Sequence, residues 1–258
     1  MNNPTLLCQW LEEENQAHIH GWDFSHLKGR YQVSPLPWDY RDLVNRYRAP
    51  RHRLLDLDTG GGEFLLSLGH PYANTAATEN YPPNVELCRQ TLLPLGIDFR
   101  QADAGGALPF ADASFDLVIN RHGRFDAREL FRVLRPGGVF VTQQVGAQND
   151  RELVDLLLPG LPLPFPGQTL QNVTEGFRHA GFLILDGQEA FLPIRFYDVG
   201  ALVWFARVIE WEFPGFTVRR FLPGLEQAQR IMEQHGCVEG TMHRFWLAAQ
   251  KTKECEHP

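Results

Sequence analysis

The chain has 258 residues, 43% hydrophobic and 21% charged, so it can bury a sizeable core and has the composition of an ordinary globular protein. Its 24 basic and 31 acidic residues give a net charge of −7, which makes nucleic acid an unlikely partner. No apolar run approaches the roughly 18–20 residues of a membrane span, and no secretory signal is visible. We expect a cytoplasmic protein without a membrane partner.

The four cysteines lack the paired spacing of metal sites. They are Cys8, Cys88, Cys237 and Cys255. In a chain of this size without a visible signal, reduced thiols are expected rather than disulfides. We therefore predict that the cysteines are structural or incidental and that the protein has no metal site.

Strand and helix patterns alternate at short intervals from residue 54 to about residue 145. The predicted strands are short apolar runs, at 54–57, 75–78, 97–101, 115–120 and 139–142. The predicted helices lie at 63–68, from Pro82 onward, and at 127–134, where Arg135-Pro136-Gly137-Gly138 ends the pattern. Such alternation predicts right-handed crossovers and a parallel sheet with helices on both faces.

The segments outside this core are rich in aromatic residues and helical patterns. Seven aromatics lie in the first fifty residues: Trp10, Trp22, Phe24, Tyr31, Trp38, Tyr40 and Tyr47. Toward the other end, strands are predicted at 182–185 and 243–249, with helices at about 199–209 and 225–235. We predict a reversed last strand and a helical aromatic cap, built from residues 1–49 and an insertion at about 197–240, on a domain of residues 50–258. This cap is expected to lie over the strand ends.

The stretch from Arg53 to Phe64 is the most informative part of the chain. An apolar run ends in acids, breaks into Gly60-Gly61-Gly62, and continues into a helical pattern. Glycine allows a sharp turn and a close approach of the backbone to a ligand, so the pattern indicates a nucleotide-binding strand, turn and helix. A dinucleotide fingerprint would need a further glycine where this chain has Leu65, so that interpretation does not match.

An ordered series of motifs over residues 50–146 resembles the class I S-adenosylmethionine-dependent methyltransferase family. The series consists of residues 54–62, Glu79 after the second strand, Asp103 after the third, and the segments 108–110, 114–118 and 131–138. The resemblance implies a doubly wound α/β domain with a mostly parallel, seven-stranded, Rossmann-like sheet. It also implies S-adenosyl-L-methionine as the cofactor.

The resemblance assigns three acids to parts of that cofactor. Glu79 would accept hydrogen bonds from the ribose hydroxyls, and Asp103 would accept one from the adenine amino group. Asp56 would lie near the methionine end of the cofactor. The remaining positions implied for cofactor binding are Asp58, Thr59, Gly60, Gly61, Gly62, Asn80, Ala104 and Asn120.

Asp58 departs from the family pattern, which usually has glycine at this position. Its carboxylate could crowd the methionine moiety, or it could pair with the ammonium or sulfonium of the cofactor. Asp tolerates left-handed backbone better than most residues, so we expect the turn to form and binding to persist. We expect Asp58→Gly to tighten binding. A protein with weakened affinity or without catalysis is the alternative.

The residues after the fourth strand are the first candidates for chemistry. Methyl transfer mainly requires alignment, and a general base is needed only if the acceptor must lose a proton. His122 is the candidate base because its ordinary pKa lies near neutrality, and a histidine that only hydrogen-bonds to backbone is the alternative. Arg121 could hold an acidic substrate, or it could pair with Asp126 or Glu129.

Gln143 and Gln144 lie at the end of the fifth predicted strand. Their amides could orient a polar acceptor, but strand alternation points one of them away from the site, and a structural role is open for both.

The predicted function is S-adenosylmethionine-dependent methylation of a small, partly apolar molecule at oxygen or nitrogen. The alternatives are methylation of RNA bases, which requires a basic face, and a cofactor-binding protein that lacks methyltransferase activity because of Asp58. The sequence does not identify the acceptor, the methylated atom or the oligomeric state.

Overall fold

A computed structural model of the protein describes residues 4–18 and 23–252. Trp22 of the aromatic segment and Cys255 lie outside the described residues.

Eight strands form the sheet of the described chain. They are β1 (Tyr31–Val33), β2 (Leu54–Leu57), β3 (Thr75–Glu79), β4 (Asp98–Gln101), β5 (Phe115–Arg121), β6 (Leu134–Val145), β7 (Phe182–Phe196) and β8 (Val238–Lys251). Their order is β1-β7-β8-β6-β5-β2-β3-β4. The expectation of seven strands is therefore wrong. The extra strand is β1, whose three residues carry no clear alternation and which pairs antiparallel with β7.

Among the described residues, the first helix precedes β1 and the other helices fall between the strands. They are α1 (Pro4–Gln16), α2 (Tyr40–Tyr47), α3 (Glu63–Ser67), α4 (Pro82–Thr91), α5 (Ala127–Val133), α6 (Arg151–Leu157), α7 (Leu170–His179), α8 (Val199–Val208) and α9 (Leu222–His235).

The central strands β2 to β6 pair in parallel, and β8 runs antiparallel to β6. The mostly parallel sheet and the reversed last strand are thus confirmed. From β2 the chain runs outward through β3 and β4, and then returns to β5 on the other side of β2. This reversal of strand order opens a crevice at the carboxyl ends of the strands, where open α/β sheets bind their ligands.

Contacts divide the chain into two compact units, and the larger contains residues 37–146, 167–189 and 244–258. Its parallel strands bury both faces. Leu54 and Ile119 pack on the face that α2 covers, and their neighbours Leu55 and Val118 pack on the opposite face with Phe177 of α7. Adjacent strand residues point to opposite faces, which explains why these strands are nearly continuous apolar runs.

The second unit contains residues 1–36, 147–166 and 190–243 and has its own apolar core. Trp10 of α1 and Trp204 of α8 belong to this core. The Arg30 guanidinium lies 2.7 Å from Glu13 and 2.6 Å from Asp198, whose carboxylate also caps α8 by accepting from the Ala201 N–H. The boundaries predicted from sequence, 1–49 and about 197–240, and the placement of the cap stay predictions. No helix in residues 4–18 and 23–252 is long and apolar enough to cross a membrane.

Candidate cofactor-binding and acceptor site

The turn between β2 and α3 contains three residues with a left-handed backbone conformation. Asp58, Gly60 and Gly62 have φ of 53°, 65° and 85°. Gly62 is the N-cap of α3, and a Cβ there would lie 2.9 Å from Leu92 Cδ2. Both the conformation and the close packing therefore require glycine at this position, as the sequence predicted for a tight turn.

Glu79, the last residue of β3, ties the turn to the sheet. Its buried carboxylate accepts the Gly60 N–H at 2.8 Å on Oε2, and the N–H groups of Asn80 and Tyr81 at 2.8 and 2.9 Å on Oε1. Backbone donors thus fix both oxygens in place. Each carboxylate oxygen can accept more than one hydrogen bond, so the group can still receive hydroxyl donors.

Asp56 is a buried carboxyl group at the end of β2. Its Oδ2 accepts the Thr59 hydroxyl at 2.7 Å. Desolvation raises its pKa to about 7, against the opposing effects of the Thr59 hydrogen bond and the Arg121 charge. A cation placed beside this group would favour its ionised form.

Asp58 holds the loop that follows β5. Its Oδ2 accepts the Arg124 N–H at 3.0 Å, and desolvation raises its pKa to about 6. A Cβ on Gly123 would lie 2.6 Å from the side chains of both Asp58 and Asn120, so that loop packs tightly against the turn. This structural role was not foreseen from sequence, because the contact joins residues 66 positions apart.

Asp103 follows β4 and is exposed. Its Oδ1 accepts the Gly105 N–H at 2.9 Å, and its Oδ2 lies 3.6 Å from Arg124 Nη1. Ala104 beside it is buried in the core. The pair of Asp58 and Asp103 therefore contacts the same residue, Arg124, from the ends of two strands.

Asn120 is fully buried and links three strand ends. Its Nδ2 donates to the Leu57 carbonyl at 3.0 Å, and its Oδ1 accepts from Gln144 Nε2 at 2.7 Å. The Tyr40 hydroxyl donates to the Asn120 carbonyl at 2.8 Å. Gln144 is thus committed to this buried network, which supports a structural role for its amide.

His122 has a left-handed backbone, with φ of 63°. Its N–H donates to the Gln143 carbonyl at 2.8 Å, and its ring Nε2 lies 3.1 Å from Gln143 Nε2. Although the side chain reaches solvent, desolvation by the surrounding protein, followed by the charges of Arg244 and Arg121, lowers its pKa below the ordinary histidine value. A lowered pKa favours the neutral form of the ring.

Trp38 is a site residue that sequence reasoning assigned only to the cap. Its indole Nε1–H donates to Gln143 Oε1 at 2.8 Å. The aromatic character of the segment was a visible signal, but only the pairing of β5 with β6, which sets Arg121 beside Gln143, brings the amide within reach of both the indole and the imidazole.

Arg121 adopts neither of the two ion pairs considered for it. Its guanidinium lies over the Phe64 ring, 4.7 Å from the centroid. Asp126 instead caps α5 through the Arg128 and Glu129 N–H groups, and Glu129 pairs with Arg132. Within the described ranges, Arg121 has no carboxylate within ion-pair distance.

The structure thus gathers Asp56, Asp58, Glu79, Asn120 and His122 at the carboxyl ends of neighbouring strands. A tight glycine turn beside the buried Glu79, with a raised pKa at the buried Asp56 and the half-buried Asp58, suits a cationic nucleoside, so these residues fit S-adenosylmethionine. Their individual roles in binding and catalysis stay predictions.

Comparison with known proteins agrees with this fold. Residues 55–142 match the family model of a methyltransferase domain. The YcgJ protein of Bacillus subtilis has a crystal structure with a TM-score of 0.57 and 21% identity, which covers 83% of this chain and 98% of that one.

Two curated relatives are similar over part of their length. A phthiotriol/phenolphthiotriol dimycocerosates methyltransferase of Mycobacterium tuberculosis is 34% identical over 111 residues, 40% of each chain. A fatty-acid O-methyltransferase of Mycolicibacterium smegmatis is 32% identical over 175 residues, 58% of this chain and 63% of that protein. The match to the first relative spans well under half of its length.

Residues 55–142 therefore match a methyltransferase domain, in agreement with the family resemblance that the sequence motifs indicated.

Proposed function

We propose that this protein is an S-adenosyl-L-methionine-dependent methyltransferase that acts on a small, partly apolar molecule at oxygen or nitrogen. The observation that carries the proposal is the Glu79 carboxylate at the end of β3, which accepts the Gly60 N–H from the turn that follows the neighbouring strand β2. A rigid acid beside a glycine turn is what ribose recognition in this fold requires.

The bound cofactor would supply an electrophilic methyl group on a sulfonium. The chain's own residues have four tasks. Glu79 binds the ribose hydroxyls, and Asp103 the adenine amino group. Asp56 and Asp58 provide negative charge near the cationic methionine end, and their raised pKa values support this role because a cation beside them would favour their ionised forms. Asn120 fixes the strand ends that carry these groups.

We infer an apolar acceptor from the aromatic residues of the chain and from the names of its relatives. The Mycolicibacterium relative is named as a fatty-acid O-methyltransferase. This name supports an oxygen atom on an alkyl-chain molecule as the first acceptor to test. The net charge of −7 gives no support to RNA as the acceptor.

Cofactor binding can be tested by calorimetry with S-adenosylmethionine and S-adenosylhomocysteine. We expect saturable binding of both, weakened about tenfold or more in Glu79→Gln, because an amide must turn one N–H toward backbone donors and loses a charged acceptor. Glu86→Gln is the matched control, since Glu86 is an exposed acid on α4. Absence of binding to the wild-type protein would refute the proposal.

Methyl transfer can be tested with radiolabelled cofactor and a panel of fatty acids, alcohols, phenols, amines and transfer RNA. We expect transfer to an apolar small molecule. Transfer to RNA alone would support the RNA alternative, and tight cofactor binding with no turnover on any class would support a binding protein without catalysis.

A further inference from the structure

We propose that Trp38 and Gln143 hold His122 as a neutral imidazole that donates from Nδ1 and does not act as a general base, and that the acceptor of this site is a carboxylate. The inference rests on the proposed function for its reaction, but its first step concerns hydrogen bonds in the protein alone.

The indole of Trp38 fixes the orientation of the Gln143 amide. An indole N–H can only donate, so the atom that it contacts at 2.8 Å must be the amide oxygen. The Gln143 side chain is buried, and the opposite orientation would set two N–H groups against each other. The Gln143 Nε2 group is therefore the one that faces His122.

The Gln143 amide in turn fixes the tautomer of His122. Gln143 Nε2 is a donor and lies 3.1 Å from the ring Nε2, so that ring nitrogen must accept and the proton must reside on Nδ1. Taking up a proton at Nε2 would place N–H against N–H and break the contact. A base that uses Nε2 is thus opposed by the very hydrogen bond that positions the ring, while Nδ1–H is available as a donor.

Charged groups around His122 act in the same direction. Arg121 ends β5 beside Gln143, and Arg244 of β8 pairs with Val145 of β6. Both guanidinium groups lower the pKa of the imidazole. These two charges, beside a neutral donor on Nδ1, favour an acceptor that is already an anion.

Methylation of a carboxylate requires no base. A carboxylate oxygen lone pair forms the new O–C bond, and the electron pair of the S–C bond remains on sulfur. The negative charge of the acceptor and the positive charge of the sulfonium are both lost, and no proton moves. An alcohol acceptor would have to release a proton, which His122 in this arrangement does not take up.

The tautomer can be read directly in the protein without cofactor, by long-range ¹H–¹⁵N NMR across a pH titration, with His122→Asn to assign the resonances. We expect the Nδ1–H tautomer in the wild type. Trp38→Phe should release the amide, admit the Nε2–H form and raise the pKa of His122. Gln143→Glu should raise that pKa by about one unit or more, because a carboxylate accepts from Nε2 and favours imidazolium.

Trp246→Phe is the matched control. Trp246 lies opposite Gln143 on β8 and is also buried, and its indole Nε1 has no hydrogen-bond partner among the described residues. This variant should leave the tautomer and the pKa of His122 unchanged. Two results would overturn the proposed role of Trp38 and Gln143. They are an Nε2–H tautomer of His122 in the wild type, or equal shifts of the His122 pKa in the two tryptophan variants.

The acceptor is tested with pairs that differ in one group, a fatty acid and the primary alcohol of the same chain length. We expect methyl ester from the acid and no ether from the alcohol. Methylation of the alcohol would overturn this inference while leaving the proposed methyltransferase intact, whereas failure to bind cofactor would refute the proposed function and leave the NMR result to stand by itself.

Discussion

Asp58 shows how one residue can serve the fold at a position where glycine is usual. Its φ of 53° costs an ordinary residue about 1–2 kcal/mol, although Asp tolerates it better than most. In return, its carboxylate accepts the Arg124 N–H at 3.0 Å. A hydrogen bond to a charged acceptor contributes about 1.5–3 kcal/mol, less where solvent competes. The backbone strain and the hydrogen bond are similar in free energy and opposite in sign. Substitutions that remove one and keep the other can therefore measure them separately.

We predict an order of stability for three variants at Asp58. Asp58→Asn keeps an acceptor oxygen and tolerates the backbone, so it should change the free energy of unfolding by less than about 0.5 kcal/mol. Asp58→Gly loses the hydrogen bond but relieves the backbone, and should cost about 1 kcal/mol. Asp58→Ala loses the bond and keeps the strain, and should cost about 2 kcal/mol. Urea unfolding measures all three. Equal stability of the alanine and asparagine variants would contradict the role of the Arg124 contact.

Asp56 and Asp58 also predict a pH dependence of cofactor binding. Their pKa values are raised to about 7 and about 6, so the folded protein without ligand holds protons that the unfolded chain has released, and these groups make the protein less stable as pH rises from about 4 to about 7. A cationic ligand favours the ionised forms, so its affinity should increase over the same window, by up to about tenfold per pH unit for each proton released.

Calorimetry in buffers of different ionisation enthalpy measures that proton release. S-adenosylmethionine, which carries the sulfonium charge, should show a steeper pH dependence than S-adenosylhomocysteine. Identical pH profiles for the two ligands would show that neither acid senses the sulfonium.

At the scale of elements, the start of α3 depends on a glycine for two separate reasons. Gly62 has φ of 85° and also packs against Leu92, whereas Gly69 has φ of 60° and a Cβ added there would meet no atom within 4 Å. Gly69→Ala should therefore cost only the backbone strain, about 1–2 kcal/mol. Gly62→Ala should cost that plus overpacking, about 1–3 kcal/mol more, and should weaken cofactor binding, because the turn itself must shift.

Thermal unfolding and calorimetry on the two glycine variants separate these contributions. If both variants lost equal stability, the contact of Gly62 with Leu92 would be of no consequence. If Gly69→Ala weakened cofactor binding as much as Gly62→Ala, the weaker binding would result from the lower stability of the protein and not from a shift of the turn at Gly62.

The parallel core was predictable from sequence because its strands are apolar runs bounded by acids and glycines. The bounds of β2 agree with the prediction, and those of β3 and β5 differ by one residue. The outer strands were underestimated. β7 extends to Phe196, far beyond the predicted 185, because most of its residues are partly exposed and the hydrophobic pattern is weak. β6 begins at Leu134 and so includes residues 135–138, which the sequence predicted as the end of the helix. Gly137, with φ of 81°, allows the strand to include this segment.

The candidate site was predictable to the extent that it follows strand ends. Glu79, Asp56 and the glycine turn could be placed because each lies at the end of a recognisable strand or directly after it. The contacts of Trp38 with Gln143 and of Asp58 with Arg124 could not, because they join distant positions and depend on register between strands, which composition does not encode.

At the scale of the whole molecule, the labelling rate of the Cys88 thiol can show how ligand binding at the cofactor site changes the opening of the folded protein. Its thiol is fully buried and donates to the Gly60 carbonyl at 3.1 Å. Desolvation, followed by the charges of Glu79, Glu63 and Asp56, raises its pKa to about 12. Since the thiolate is the reactive form, labelling of Cys88 requires the glycine turn to open.

We predict that cofactor protects this thiol in proportion to occupancy. In a variant with serine at Cys8, Cys237 and Cys255, the rate of labelling by a disulfide reagent should fall about 100-fold at a ligand concentration 100 times the dissociation constant, because binding reduces the opened population by that factor. A variant that retains only Cys8, which is exposed, should label at the same rate with and without ligand. Calorimetric binding without protection of Cys88 would place the ligand away from the turn that Gly60 and Glu79 form.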